Sequence, residues 1–122
     1  MKFMLLIYGD EQAMSHATDE QNQAVGAEYE TFTQSIIGSG NFLDGDPFLP
    51  TTTAKTVTVR DGNTETADGP VEKTTHQLLA YYKVEAEGAE QANELAARVP
   101  GAKYGSIEVR PVAFTQAFNS TT

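Results

Sequence analysis

A chain of 122 residues, 39% hydrophobic and 20% charged, is sized for one domain and holds enough apolar material for a real core. With no cysteine, a disulfide framework and a thiolate metal site are both excluded. The net charge is −9, and in the first 50 residues eight acids stand against Lys2 alone, a surface that repels phosphate backbones and anionic lipid and so disfavours nucleic acid and membrane as partners.

Residues 2–8, KFMLLIY, form an apolar run that predicts a strand buried on both faces. The run is too short for a signal peptide, and Gly9-Asp10-Glu11 follows it where a small-residue cleavage site would stand. No stretch approaches the ~20 apolar residues of a membrane helix. The expectation is a soluble, cytoplasmic protein.

A polar loop leads to Thr18-Asp19-Glu20-Gln21. Thr18 with Gln21 three places on is a capping-box pattern, and the two acids suit the positive start of a helix. Val25, Tyr29, Phe32 and Ile36 follow as one stripe of an amphipathic helix, which Gly38 and Gly40 end. Residues 41–53, broken by Pro47 and Pro50, read as a loop.

Residues 54–60 alternate, with Val57 and Val59 on one side and Thr56, Thr58 and Arg60 on the other. Asp61-Gly62 is a hairpin signal that returns residues 64–67 as a short edge strand. After the turn at Asp68-Gly69-Pro70, residues 77–84 predict a second apolar strand. Ala89, Ala92, Leu95, Ala96 and Val99 give a second helical stripe, stopped by Pro100-Gly101. Residues 106–112 predict the last strand, and residues 114–122, with Phe114 and Phe118, follow as a tail without a clear pattern.

The order is βαββαβ, a ferredoxin-like α+β arrangement with an antiparallel sheet and two helices on one face. One domain spans the chain, with its ordered core at about residues 1–113. In that topology the first and third main strands are central, which suits the two runs that are apolar on both sides.

The helix face is expected to carry Val57, Val59, Ile107 and Val109. The other face would carry Met4, Leu6 and Tyr8 or their neighbours on the first strand, with Leu79, Tyr81, Thr56, Thr58, Arg60, Glu108 and Arg110. Such a mixed, partly aromatic surface calls for a cover, and a homodimer built sheet against sheet with a cavity between the copies meets the need.

The start MKFMLLIYGDE, the VRDG hairpin, the DGP turn before QLLAYY and the end GSIEVRPV together resemble the DGPF or YCII-related domain proteins. The resemblance runs over nearly the whole chain and implies a dimeric α+β barrel. The family's DGPF stands here as Asp68-Gly69-Pro70-Val71. Relatives place a histidine in the first helix as a candidate base; this helix has none, and Tyr29 lies near the matching turn.

His76 is the candidate general base, its ordinary pKa of ~6.5 lying near working pH, with Asp68 or Glu72 to orient it. Read without chemistry, Asp68 is a turn residue and His76 a polar strand entrance. Arg60 and Arg110 suit a carboxylate-bearing ligand, or pair across strands with Glu108. Tyr8 and Tyr81 suit core packing or ligand contact. His16 and His76 match no metal spacing, and no phosphate loop, dinucleotide fingerprint or nucleophile elbow is present, so no metal and no cofactor are expected. Two functions follow. One is cofactor-free acid/base catalysis, an elimination or isomerisation on a small aromatic or carboxylate metabolite; the other is a non-catalytic ligand-binding or regulatory dimer.

Overall fold

Burial alternates residue by residue along β1 (Lys2–Asp10), which puts Phe3, Leu5 and Ile7 against the helices and leaves Met4, Leu6 and Tyr8 half-buried on the opposite face. The structure is a computed structural model that describes residues 1–113; the expected tail, 114–122, lies outside the described residues. Directly after β1 comes a short helix, α1 (Glu11–Ser15), in place of the expected loop. The Asp10 carboxylate caps it, accepting from the backbone N–H groups of Gln12 at 2.9 Å and Ala13 at 3.3 Å.

The long helix α2 (Asp19–Gly38) starts on the predicted capping box. The Gln21 N–H donates to Thr18 Oγ1 at 3.1 Å, and the Thr18 N–H donates to Gln21 Oε1 at 2.9 Å. Helix α3 (Ala89–Arg98) buries Ala92, Leu95 and Ala96. These side chains join Phe32 and Ile36 of α2 in one core with Phe3, Leu5, Ile7 and Val84, so both long helices lie on the same face of the sheet.

The main sheet has the order β2-β5-β1-β6, built from β2 (Phe42–Pro47), β5 (His76–Glu85), β1 and β6 (Ser106–Pro111), all pairs antiparallel. The first and third main strands are central, as the sequence pattern predicts, and the fold is the expected ferredoxin-like α+β arrangement with α1 added.

The second main strand differs from expectation. Residues 54–60 do not enter the main sheet. β3 (Lys55–Arg60) pairs only with β4 (Asn63–Asp68) as a separate two-stranded ribbon, turned by Asp61 and Gly62 with φ of 52° and 79°. Val57 and Val59 are 61% and 57% exposed and belong to no core. The true edge strand is FLDGDP, which reads as a turn because it holds Asp44, Gly45, Asp46 and Pro47. An outer strand tolerates these residues, since charge and proline on an unpaired edge cost no ladder bonds and block further pairing.

Candidate functional site

Strand register sorts the candidate residues into two groups. Met4 stands opposite Arg110 and Leu6 opposite Glu108 across β1 and β6, while Leu6 also faces Tyr81 across β1 and β5. Directly opposed residues share a face, so Tyr8, Tyr81, Glu108 and Arg110 all lie on the open side of the sheet. Arg110 Nη1 donates to Glu108 Oε2 at 3.1 Å. Burial pushes the Tyr8 phenol up, the neighbouring Glu108 carboxylate adds to the rise, and Arg110 opposes it.

Tyr81 bolts the edge strand to the sheet. Its hydroxyl donates to Asp44 Oδ2 at 2.9 Å and approaches Asp46 Oδ2 at 3.4 Å. The Asp44 hydrogen bond, then desolvation and the charges of Asp44 and Asp46, push its pKa up to about 12. A phenol held this way is a hydrogen-bond donor at neutral pH. Its ring also stacks on Phe48, centroids 5.8 Å apart, so the protein's own chain covers part of the open face.

The other three candidates stand elsewhere. Asp68 lies at the end of the ribbon, exposed, its carboxylate paired with the Lys55 ammonium. His76 is exposed at the entrance to β5, where it opposes Asp10, whose carboxylate is already committed to the α1 cap. Among the described residues the His76 side chain has no hydrogen-bond partner; the contact there is Thr74 Oγ1 donating to the His76 carbonyl at 2.8 Å. Arg60, at the tip of the ribbon, donates to the carbonyl of its neighbour Val59 at 3.0 Å. The expected pairing of His76 with Asp68, and of Arg60 with Arg110 on one sheet, does not form, because the ribbon departs from the main sheet. The turn itself is built by Gly69, with φ of 98°, whose N–H donates to the Ala54 carbonyl at 2.8 Å.

The largest of three cavities among the described residues joins the predicted first helix and third main strand to two stretches that read as loops, residues 11–15 and 42–52. It is a cleft of about 910 Å³ lined by residues of α1, α2, β2, β5 and the segment 48–52. Tyr29, Phe42, Phe48, Tyr81 and Tyr82 give it an aromatic lining, and Glu11 and Asp46 supply two carboxylates. Glu11 is anchored by Thr51, whose N–H donates to Oε2 at 2.9 Å and whose hydroxyl donates to Oε1 at 2.5 Å. The Tyr82 and Thr33 hydroxyls pair at 2.7 Å; burial pushes the phenols of Tyr29 and Tyr82 up. Two further cavities are less suited to a small organic ligand. One of about 700 Å³ is a shallow groove between α2 and α3. The other, about 370 Å³ and mostly polar, sits by the turn at Pro70 and Lys73. His76 lines none of the three. Glu11, Asp46 and Phe48 escape sequence reasoning because their acids read as solvated charge and their apolar neighbour as part of a loop. The adjacency of Phe48 to two prolines and two acids was the one signal available.

Fold and cleft define a ferredoxin-like α+β protein with a ligand-sized hollow beside its edge strand. The sequence model of the YCII-related domain matches residues 1–115, and the chain belongs to that family. It is also similar to an uncharacterised protein of Rhizobium meliloti (strain 1021), with 30% identity over 115 residues that cover 93% of each chain.

Proposed function

We propose that this YCII-related protein is a small-molecule-binding module that works as a homodimer. The observation behind the reading is the cleft of about 910 Å³, large enough for a metabolite and lined mainly by apolar and aromatic groups with a few polar ones. Cofactor-free acid/base turnover centred on His76 and Asp68 receives no support from this geometry. A base needs a partner that orients it and a hollow that brings substrate to it. His76 is exposed, and Asp68 is engaged with Lys55.

Dimerisation through the open face is supported by Met4, Leu6, Tyr8 and Tyr81, which lie on a side that no helix among the described residues covers. Glu108, Arg110, Asp44 and Lys83 surround them and offer both signs of charge to a symmetry mate. Leu6→Arg, at the centre of that face, is expected to give a monomer in sedimentation equilibrium while keeping the helical signal of the parent. A parent chain that is itself monomeric at micromolar concentration removes the dimer from the reading.

The binding claim is tested by a thermal-shift screen of small aromatic compounds. A ligand at a hundred times its Kd should add ~2.7 kcal/mol of stability. Binding should persist in His76→Gln and weaken when the cleft is filled by Ala80→Phe. Equal shifts in the parent and the filled variant would place the ligand elsewhere.

A further inference from the structure

We infer that the cleft selects an organic cation, a molecule with an apolar or aromatic body and a protonated or quaternary amine. The inference rests on the ligand-binding reading of the cleft and names the chemistry of its ligand. No Lys, Arg or His stands among its described lining residues, whereas Glu11 and Asp46 both do. The nine residues outside the description, 114–122, carry no charged side chain in their sequence. Of the described cations, Arg110 pairs with Glu108 on the open face, Arg60 stands at the ribbon tip and Lys55 on Asp68. Lys73 lines the neighbouring polar cavity, which shares Glu11, Gln12 and Thr51 with the cleft, and Lys83 stands opposite Asp44; neither lines the cleft itself.

Three physical terms then favour positive charge. Aromatic faces present negative electron density, and a cation seated over them is attracted by the ring quadrupole. The carboxylates supply direct charge complementarity. Glu11 is only half exposed and is locked by the two bonds from Thr51, so it meets the ligand already oriented. Finally, an occupant without a donor would strip the remaining water from Glu11 and Asp46 uncompensated, a neutral hydroxyl would restore an ordinary hydrogen bond, and an ammonium restores it as a stronger, charge-assisted one. The overall charge of −9 adds a long-range field of the same sign.

The test compares three probes of matched shape on the full chain: 2-phenylethylamine, 2-phenylethanol and 3-phenylpropionate. Binding is followed by titration of the backbone amide resonances. The amine is expected to bind at least ~tenfold more tightly than the alcohol, with shifts at Glu11, Asp46 and Phe48, and the propionate most weakly. Its affinity should fall several-fold when salt rises from about 0.02 M to about 0.5 M, as screening demands. Asp46→Asn, on the exposed edge strand, should weaken the amine about three- to tenfold with only a small change in the unfolding midpoint, since the shorter Tyr81 bond to Asp44 remains. Glu11→Gln should do the same if it folds; Asp46→Asn keeps the test valid if it does not. Alcohol or propionate binding as tightly as the amine in the same cleft would overturn the cation and leave the cleft as a binding site. Silence from all three probes would overturn the ligand-binding reading itself, and the inference with it.

Discussion

On β5, Tyr82 and Val84 alternate with Tyr81 and Lys83 and are 8% and 0% exposed. On β3, Val57 and Val59 alternate with Thr56 and Thr58 and are 61% and 57% exposed. The two stretches have the same two-residue period, yet one is the centre of the protein and the other stands out from it. The difference lies in the neighbours. β5 has β1 on one edge, β2 on the other and α2 above it, whereas β3 has β4 alone. Period two states that the backbone is extended; it does not state which sheet receives it. A lone two-stranded ribbon is marginal in water. Here its base is tied down by the Lys55–Asp68 pair, by the Gly69 N–H on the Ala54 carbonyl, and by the Thr56 hydroxyl on the Gly69 carbonyl at 2.8 Å.

The sharpest way to break this contrast is to remove a side chain from the sheet's buried face. Leu5 is fully enclosed, so Leu5→Ala is expected to cost about 2–5 kcal/mol, the lost burial plus the cavity it leaves. Urea unfolding measures it. A loss under about 1 kcal/mol would mean that the sheet and its helices are not the stable part of the molecule.

Next in size is a contact that no hydrophobic pattern reveals. A Cβ on Gly105 would stand 2.0 Å from the Tyr8 carbonyl oxygen, at the start of the β1–β6 pairing. That obstacle is backbone and cannot rotate away. Gly105→Ala should therefore destabilise by about 1–3 kcal/mol, and its amide exchange should rise at Tyr8 and Ser106 before the rest of the sheet. An unchanged midpoint would show that β6 can shift without cost.

These two residues also mark what was legible in the sequence. The apolar run that holds Leu5 is legible, though not which of its faces meets the helices, as are the capping box at Thr18 and Gln21, the alanine stripe of α3 and the central place of β1 and β5. Each shows itself through local chemistry or through apolarity on both sides. Strand parity alone puts Tyr81, Glu108 and Arg110 on one face, and the register agrees; Tyr8 joins them only once the register chooses between the two faces of β1. Gly105 was not legible, because its role depends on a strand nearly a hundred residues away. β2 was not legible for a different reason. An edge strand is selected to resist pairing, so Asp44, Gly45, Asp46 and Pro47 imitate a turn. Missing β2 hid the cleft as well, since Asp46 and Phe48 enter it only once that edge is in place.

The edge strand can be probed through Tyr81, with a smaller effect. The folded protein holds the Tyr81 proton to about pH 12, above the ordinary tyrosine value of 10.0. A pKa raised on folding gives stability that is whole below about pH 10 and is lost as pH climbs through the folded value near 12. Asp44 is the first cause of the rise, so Asp44→Asn should bring the Tyr81 phenolate absorbance in at lower pH and make β2 exchange its amides sooner. If the titration of Tyr81, followed by the difference from Tyr81→Phe, is the same in parent and Asp44→Asn, the bond does not hold the edge.

The smallest effect is expected on the ribbon. Val57→Thr keeps the branched shape that suits a strand and replaces one methyl by a hydroxyl at a site already open to water. Within a single chain it should alter stability by no more than about 0.5 kcal/mol. Its value lies in what a larger number would mean. Val57 and Val59 face away from the half-buried Thr56 and Thr58, so no part of the described chain rewards their apolarity. A loss near 1 kcal/mol or more that grows with protein concentration would place the valines against a second copy, and the ribbon would then be an arm of the dimer. The predicted near-zero change, independent of concentration, keeps the ribbon outside both the core and any contact between copies and leaves the open sheet face as the proposed place of dimerisation.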